Sequence, residues 1–198
     1  MIALIDYKAG NLTSVRKAFA ALDAPLFTPD RPGDLADAQA IVVPGVGHFG
    51  ATKALGPDWV DAILARVGEG RPLLGICLGM QWLFEGSEEA PDLAGLGLLG
   101  GRCYKLPSGS VKIPHVGWNS LDLQREGPIV DEVANHAQVY FTHSFVAPVT
   151  GDTVAVTSHG EAFASVVQRG HVAGVQFHPE KSGDVGLQVL RNFLSMVG

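Results

Sequence analysis

The sequence predicts an α/β fold, a three-layer sandwich with a mixed, largely parallel central sheet and helices on both faces. Two observations predict it. In the first half, short apolar runs alternate with segments whose apolar residues recur every three or four positions, as strand and helix do in parallel units. In the second half, short extended segments follow one another with turns between them, the pattern of antiparallel hairpins. Composition allows such a core. Hydrophobic residues make up 46% of the 198 positions and charged residues 17%, and a globule of this length buries about 70% of its unfolded surface. The 25 glycines and 12 prolines are scattered, no linker or repeat divides the chain, and residues 1–198 read as one domain.

Ile2–Ile5 is the first strand, and Asp6–Asn11 a loop ending in a helix cap. Leu12, Val15, Phe19 and Leu22 then mark one face of a helix. Leu26–Phe27 and Ala40–Val43 are the next strands, the latter stopped by Pro44-Gly45. Val60, Ile63, Leu64 and Val67 define a second helix, closed near Gly68 and Gly70. Leu73–Ile76 is a buried-type strand, followed by a helix from Leu78 to Phe84. Beyond Gly101, the segments Gln138–Phe141, Thr153–Thr157, Ser165–Gln168 and Val172–Phe177 read as antiparallel hairpins. Leu187, Leu190, Leu194 and Val197 share a face of the last helix. The sum is a flavodoxin-like core with added antiparallel strands.

Several function classes drop out on composition. The net charge is −6 with no basic stripe, which argues against nucleic acid as a partner. The longest nearly apolar run, 72–84, is too short to span a bilayer, and no charged leader precedes the first strand, so no membrane is expected. Two cysteines, Cys77 and Cys103, make neither a disulfide scaffold nor a zinc cluster and suit a reducing cytoplasm.

Three segments carry chemistry. Gly75-Ile76-Cys77-Leu78-Gly79, between a strand and a helix, has the form of a nucleophile elbow with cysteine in place of serine. So tight a turn needs flanking positions nearly free of side chains, and it leaves the nucleophile at the carboxyl end of its strand. There the helix N–H groups favour a thiolate, and the N–H of Leu78 is a natural oxyanion donor. The alternative is a buried cysteine packing as a small hydrophobe, the role expected of Cys103. In Gln176-Phe177-His178-Pro179-Glu180, residues two apart on an extended segment face the same way, so Glu180 can orient His178 as a general base needs. The other six histidines, without so rigid a carboxylate, are expected in ordinary hydrogen-bonded or surface roles. Pro44-Gly45-Val46-Gly47-His48-Phe49-Gly50 follows a parallel strand, and its three glycines can present N–H groups or rotate a peptide plane at little cost. A plain turn is the competing reading; neither phosphate-loop pattern is present.

In this order the three segments resemble the triad (class I) glutamine amidotransferases: Gly75–Gln81 their nucleophile motif and Phe177–Glu180 their His–Glu motif. Asp6–Leu12, Pro44–Phe49, Pro114–Asn119 and Tyr140–Phe145 are further similar to the glutaminase subunits of imidazole glycerol phosphate synthases. Lys8 departs from the glycine common there. The resemblance implies a catalytic Cys77, His178 and Glu180. It implies an oxyanion held by the N–H groups of Leu78 and Gly47, and glutamine bound by Gln81 and the backbone around Ser144 and Phe145. No cofactor or metal is implied. The implied partner is a (β/α)8-barrel cyclase that takes the ammonia, with Asn11, Trp118 and Lys181 at the interface. Gly45–Gly47 is expected to rest with its N–H turned from Cys77 until the partner binds. The alternatives are the glutaminase of another ammonia-channelling synthase such as pyridoxal phosphate synthase, a non-catalytic regulatory module of the same fold, and a cysteine protease.

Overall fold

Chain reversal through helices keeps the first strands parallel. In the computed structural model, β1 (Ile2–Leu4), α1 (Leu12–Ala20), β2 (Leu26–Phe27), β3 (Ala40–Val43), α2 (Pro57–Gly68), β4 (Leu73–Ile76) and α3 (Leu78–Trp82) follow in order. Residues 1–109 and 111–197 are described; Ser110 and Gly198, the last position of the span read as one domain, lie outside the described residues. The Asn11 side chain accepts from the Ser14 N–H at 3.3 Å and caps α1. Pro57 opens α2, where the missing N–H removes no helix bond.

The second half is strand-rich. It runs β5 (Gly86–Ser87), β6 (Ala90–Ala94), β7 (Arg102–Lys105), β8 (His115–Ser120), β9 (Asp122–Leu123), β10 (Gln138–His143), β11 (Phe145–Val146), β12 (Thr153–His159), β13 (Glu161–Arg169) and β14 (Val172–Val175). The last helix is α4 (Gly183–Ser195). The main sheet has eight strands in the order β2-β1-β3-β4-β14-β13-β12-β9, parallel from β2 to β14 and antiparallel beyond. β8 pairs with β10 in a separate antiparallel ribbon, and β11-β7-β5-β6 form a small third sheet.

Alternation along the parallel strands divides the core. Ile2, Leu4, Val42, Leu74 and Ile76 face one layer with α1 and α4, where the rings of Phe19 and Phe193 meet edge to face at 6.4 Å. Ala3, Ile41, Val43 and Leu73 face the other with α2 and α3. Helices therefore cover both faces, as the sequence predicts.

Three expectations change. Val172–Val175 is hydrogen-bonded to β13 as a hairpin, yet its other edge joins β4 in parallel and completes the core. The helix after Cys77 ends at Trp82 rather than Phe84. The returning loop supplies the reason: the N–H groups of Leu96, Gly97 and Leu99 take the carbonyls of Trp82, Phe84 and Leu83 at 2.7, 3.1 and 3.0 Å. In α4 the buried face is Gly186, Val189, Leu190 and Phe193, with Leu187, Leu194 and Val197 packed along its margin.

Candidate active site

The carboxyl ends of β1, β3, β4 and β14 lie at one edge of the sheet, and the chain leaving each supplies part of the site. Cys77 follows β4 with φ 54° and ψ −106°, a backbone conformation that costs a non-glycine residue about 1–3 kcal/mol. Its neighbours explain how the turn closes. A β-carbon on Gly75 would stand 2.6 Å from the Gly79 carbonyl oxygen, and one on Gly79 would collide with the carbonyl of Val43 in β3. The spacing of glycines in the sequence is thus a packing requirement of the elbow.

β14 carries His178 to the same place. Its Nδ1 is 2.9 Å from Glu180 Oε1, and the two side chains are 5% and 4% exposed, so water screens the pair little. Nδ1 carries a proton toward the carboxylate, which leaves Nε2 toward the sulfur side. Burial would depress the imidazole pKa, but interaction with the Cys77 sulfur and then with Glu180 outweighs it and holds His178 above its ordinary 6.5. No hydrogen bond joins the ring to the sulfur. Among the described residues His178 Nε2 is buried with no hydrogen-bond partner, while Cys77 Sγ accepts from Gln176 Nε2 at 3.6 Å and lies 3.8 Å from the Thr142 carbonyl.

A cavity of about 270 Å³ opens over the sulfur. Gly47, Leu78, Gln81, Ser144 and Phe145 all line it, so the structure brings these five together with Cys77. Gln81 is buried and its Nε2 donates to the Phe145 carbonyl at 2.9 Å and to Gln176 Oε1 at 3.1 Å, tying α3 to β11. The N–H of Leu78 is engaged, donating to the Gly45 carbonyl at 3.3 Å.

A glutamine amidotransferase class-I family model matches residues 3–197. The chain belongs to that family. The protein named imidazole glycerol phosphate synthase subunit HisH in Moorella thermoacetica is 44% identical over 99% of this chain and 95% of its own. Those of the same name in Halobacterium salinarum and Methanothermobacter thermautotrophicus are 45% and 40% identical, over 98% and 100% of this chain and 92% and 99% of theirs. A crystal structure described as a glutamine amidotransferase superposes with a TM-score of 0.79 at 22% identity, each chain fully covered, a likeness of fold.

In this glutamine amidotransferase, four residues at the site are not singled out from the sequence: Glu89, Thr142 and His143, which line the cavity, and Gln176, which bonds the Cys77 sulfur. Gln176 had a signal, since it lies two residues before His178 and so on the same side of the strand. Thr142 and His143 lie within Tyr140–Phe145, a segment that carries the resemblance, whereas Glu89 comes from a segment whose long-range placement no local pattern reveals. His143 and His115 keep the hydrogen-bonded role expected of them, but they bond to each other. His143 Nδ1–H donates to the Phe145 carbonyl at 3.1 Å, His115 Nδ1–H to His143 Nε2 at 3.0 Å, and Asn119 Nδ2–H to His115 Nε2 at 3.2 Å. The chain of neutral rings links β8 to the pocket wall. Cys103 is fully buried, as expected.

The three residues expected to meet a partner are gathered near the site. Asn11 and Lys181 line a narrow cleft with Gly45, His178 and Glu180. Lys181 Nζ is 5.8 Å from the centre of the Tyr140 ring, and Trp118, 56% exposed, meets that ring edge-on at 6.1 Å. Lys8 has φ 63°, a backbone conformation that favours glycine. Asp6 compensates, accepting the Lys8 N–H at 2.9 Å and its Nζ at 2.7 Å. Among the described residues no helix is long and apolar enough to cross a membrane, and no three His, Cys, Asp or Glu side chains converge as metal ligands.

Proposed function

We propose that this chain is the glutaminase subunit of an imidazole glycerol phosphate synthase, one domain over residues 1–198 working in the cytoplasm. It hydrolyses glutamine to glutamate and ammonia and delivers the ammonia to a (β/α)8-barrel cyclase. The cyclase makes imidazole glycerol phosphate and the aminoimidazole carboxamide ribonucleotide of histidine biosynthesis. Full-length similarity to subunits of that synthase supports the pathway. One observation carries the chemistry: Cys77 and the His178–Glu180 pair, 101 positions apart (178 − 77), stand where the paired parallel strands β4 and β14 end at one edge of the sheet.

Cys77 Sγ attacks the side-chain carboxamide carbon of glutamine, and the carbonyl electron pair moves onto oxygen. Collapse of that intermediate breaks the C–N bond while His178 Nε2 gives its proton to the departing ammonia. The neutral imidazole then takes a proton from water, whose oxygen attacks the glutamyl thioester, and glutamate leaves the sulfur. Glu180 holds the ring and stabilises its protonated form. Gln81 and the backbone of Ser144 and Phe145 position the substrate.

The oxyanion needs N–H donors from Leu78 and Gly47. With Leu78 donating to Gly45, that donor is occupied at rest. Rotation of the Gly45–Val46 peptide withdraws the carbonyl, frees Leu78 and, carried on into the Val46–Gly47 peptide, turns the Gly47 N–H toward the sulfur. Losing one donor lowers rate by about a hundred- to a thousandfold, so the isolated subunit is nearly silent. The partner, docked on Asn11, Trp118 and Lys181, shifts the population to the rotated state. The exposed apolar side chains of Val46, Val116 and Trp118 suit such a contact. The test is Cys77→Ala assayed with the barrel partner. Glutamine-dependent synthesis is lost and synthesis from ammonium salt is kept; loss of both assigns the cysteine to folding or assembly instead.

A further inference from the structure

Tyr7 is a buried residue just beyond β1, in the layer that packs α2 and α3. Its ring packs as an ordinary core aromatic. Its hydroxyl does not: Oη is buried and makes no hydrogen bond with any described residue. Buried hydroxyls are nearly always paired, and one left unpaired in a resting conformation is a candidate for a partner in another. Phenylalanine would fill the same space without that penalty.

The position of Oη names the partner. A β-carbon built on Gly45 would collide with it, so the hydroxyl rests directly against Gly45 in the loop over Cys77. The same construction places Leu78 Cβ 2.9 Å from that β-carbon, so Tyr7, Gly45 and the elbow residue are packed together. Gly45 is buried, and its carbonyl accepts from the Leu78 N–H at 3.3 Å. When the Gly45–Val46 peptide rotates to free Leu78, that carbonyl loses the one donor it has among the described residues and must find another. Water has poor access to it, and the unclaimed O–H in contact with Gly45 is Tyr7's.

We propose that the Tyr7 hydroxyl donates to the Gly45 carbonyl in the rotated, active conformation, making Tyr7 a positioning residue that stabilises the formed oxyanion site. The inference rests on the glutaminase reading above. Two polar groups thus exchange partners. At rest the carbonyl holds Leu78 and the phenol is unsatisfied; in the active state Leu78 faces the oxyanion and the phenol holds the carbonyl. Burial, with the nearby Cys77 sulfur, pushes the phenol pKa up and keeps it a neutral donor at working pH.

The experiment is Tyr7→Phe in the complete synthase, with glutamine hydrolysis followed while the cyclase is saturated with its nucleotide substrate. A neutral hydrogen bond present only in the active conformation corresponds to a fall in kcat of about tenfold. The KM for glutamine stays within about twofold, because the lost bond is not to substrate. Thermal unfolding of the isolated variant occurs at the same or a higher temperature, since only an unsatisfied hydroxyl is removed. Alkylation of Cys77 by iodoacetamide, which forms no oxyanion, proceeds at the wild-type rate. Para-aminophenylalanine at position 7, which restores an N–H donor, recovers most of the kcat. An unchanged kcat, a rise in KM alone, or a fall in melting temperature without rescue overturns the assignment. Wild-type turnover in the same assay tests the underlying reading, so a silent wild type is distinguished from a Tyr7→Phe variant that behaves as wild type.

Discussion

Replacing Glu180 by glutamine removes a charge from the site with almost no change in shape. The bond at stake is His178 Nδ1 to Glu180 Oε1, 2.9 Å long between side chains 5% and 4% exposed, where water screens little. A hydrogen bond to a charged group contributes about 1.5–3 kcal/mol, and one decade of rate is about 1.4 kcal/mol. Glu180→Gln is therefore expected to lower kcat/KM for glutamine by about 10- to 150-fold. The pH profile separates this from a packing effect. Burial depresses His178, the Cys77 sulfur raises it most, and Glu180 adds to the rise. With that carboxylate neutralised, the imidazolium loses its proton at lower pH, and the alkaline limb of the rate moves acidward by about one unit. The assay is ammonia release by the assembled synthase across pH. An unmoved alkaline limb with less than about a threefold loss refutes the assigned role.

Gly79→Ala places a methyl group against the backbone carbonyl of Val43, and overpacking of that kind costs about 1–3 kcal/mol. Urea unfolding should show the loss, and a variant as stable as wild type would mean the elbow is not so tight. Burial, with His159 nearby, lowers the His115 pKa to about 4, and burial, with His115 nearby, lowers that of His143 to about 3. Between those values and the ordinary 6.5 the unfolded chain binds more protons than the folded one. Stability is therefore fully present above about pH 6.5 and falls on acidification, by up to about 1.4 kcal/mol per pH unit for each ring. Urea titrations at pH 7 and 5 should show a steeper loss in wild type than in His143→Gln; equal slopes contradict it. Lys8→Gly relieves a positive φ but surrenders an exposed ion pair and loosens the unfolded chain, so stability should change by less than about 1 kcal/mol, toward stabilisation.

Local chemistry made the parallel core and the elbow legible. Strands such as Ala40–Val43 and Leu73–Ile76 announce themselves because they are buried on both faces, and Gly75 and Gly79 because no side chain fits beside Cys77. The proline between His178 and Glu180 made their pairing a local matter. Long-range pairing left weaker traces. Val172–Val175 has one antiparallel and one parallel neighbour, and nothing within four residues distinguishes the two edges. The carbonyl of Trp82 is taken by a loop fourteen residues on (96 − 82), so the end of α3 lies outside any helical period. The link from Asn119 through His115 and His143 to Phe145 runs from β8 through β10 to β11, and β8 and β10 meet only in the fold. The unsatisfied hydroxyl of Tyr7 is of the same kind, visible only once Gly45 is seen beside it.

The most direct test is to expose the synthase, with the cyclase saturated, to a glutamine-mimicking diazoketone and map the adduct by peptide mass spectrometry. The account predicts a single adduct on Cys77, with glutamine-driven synthesis abolished and ammonium-driven synthesis intact. Inactivation with Cys77 unmodified, or modification at Cys103 instead, would contradict it.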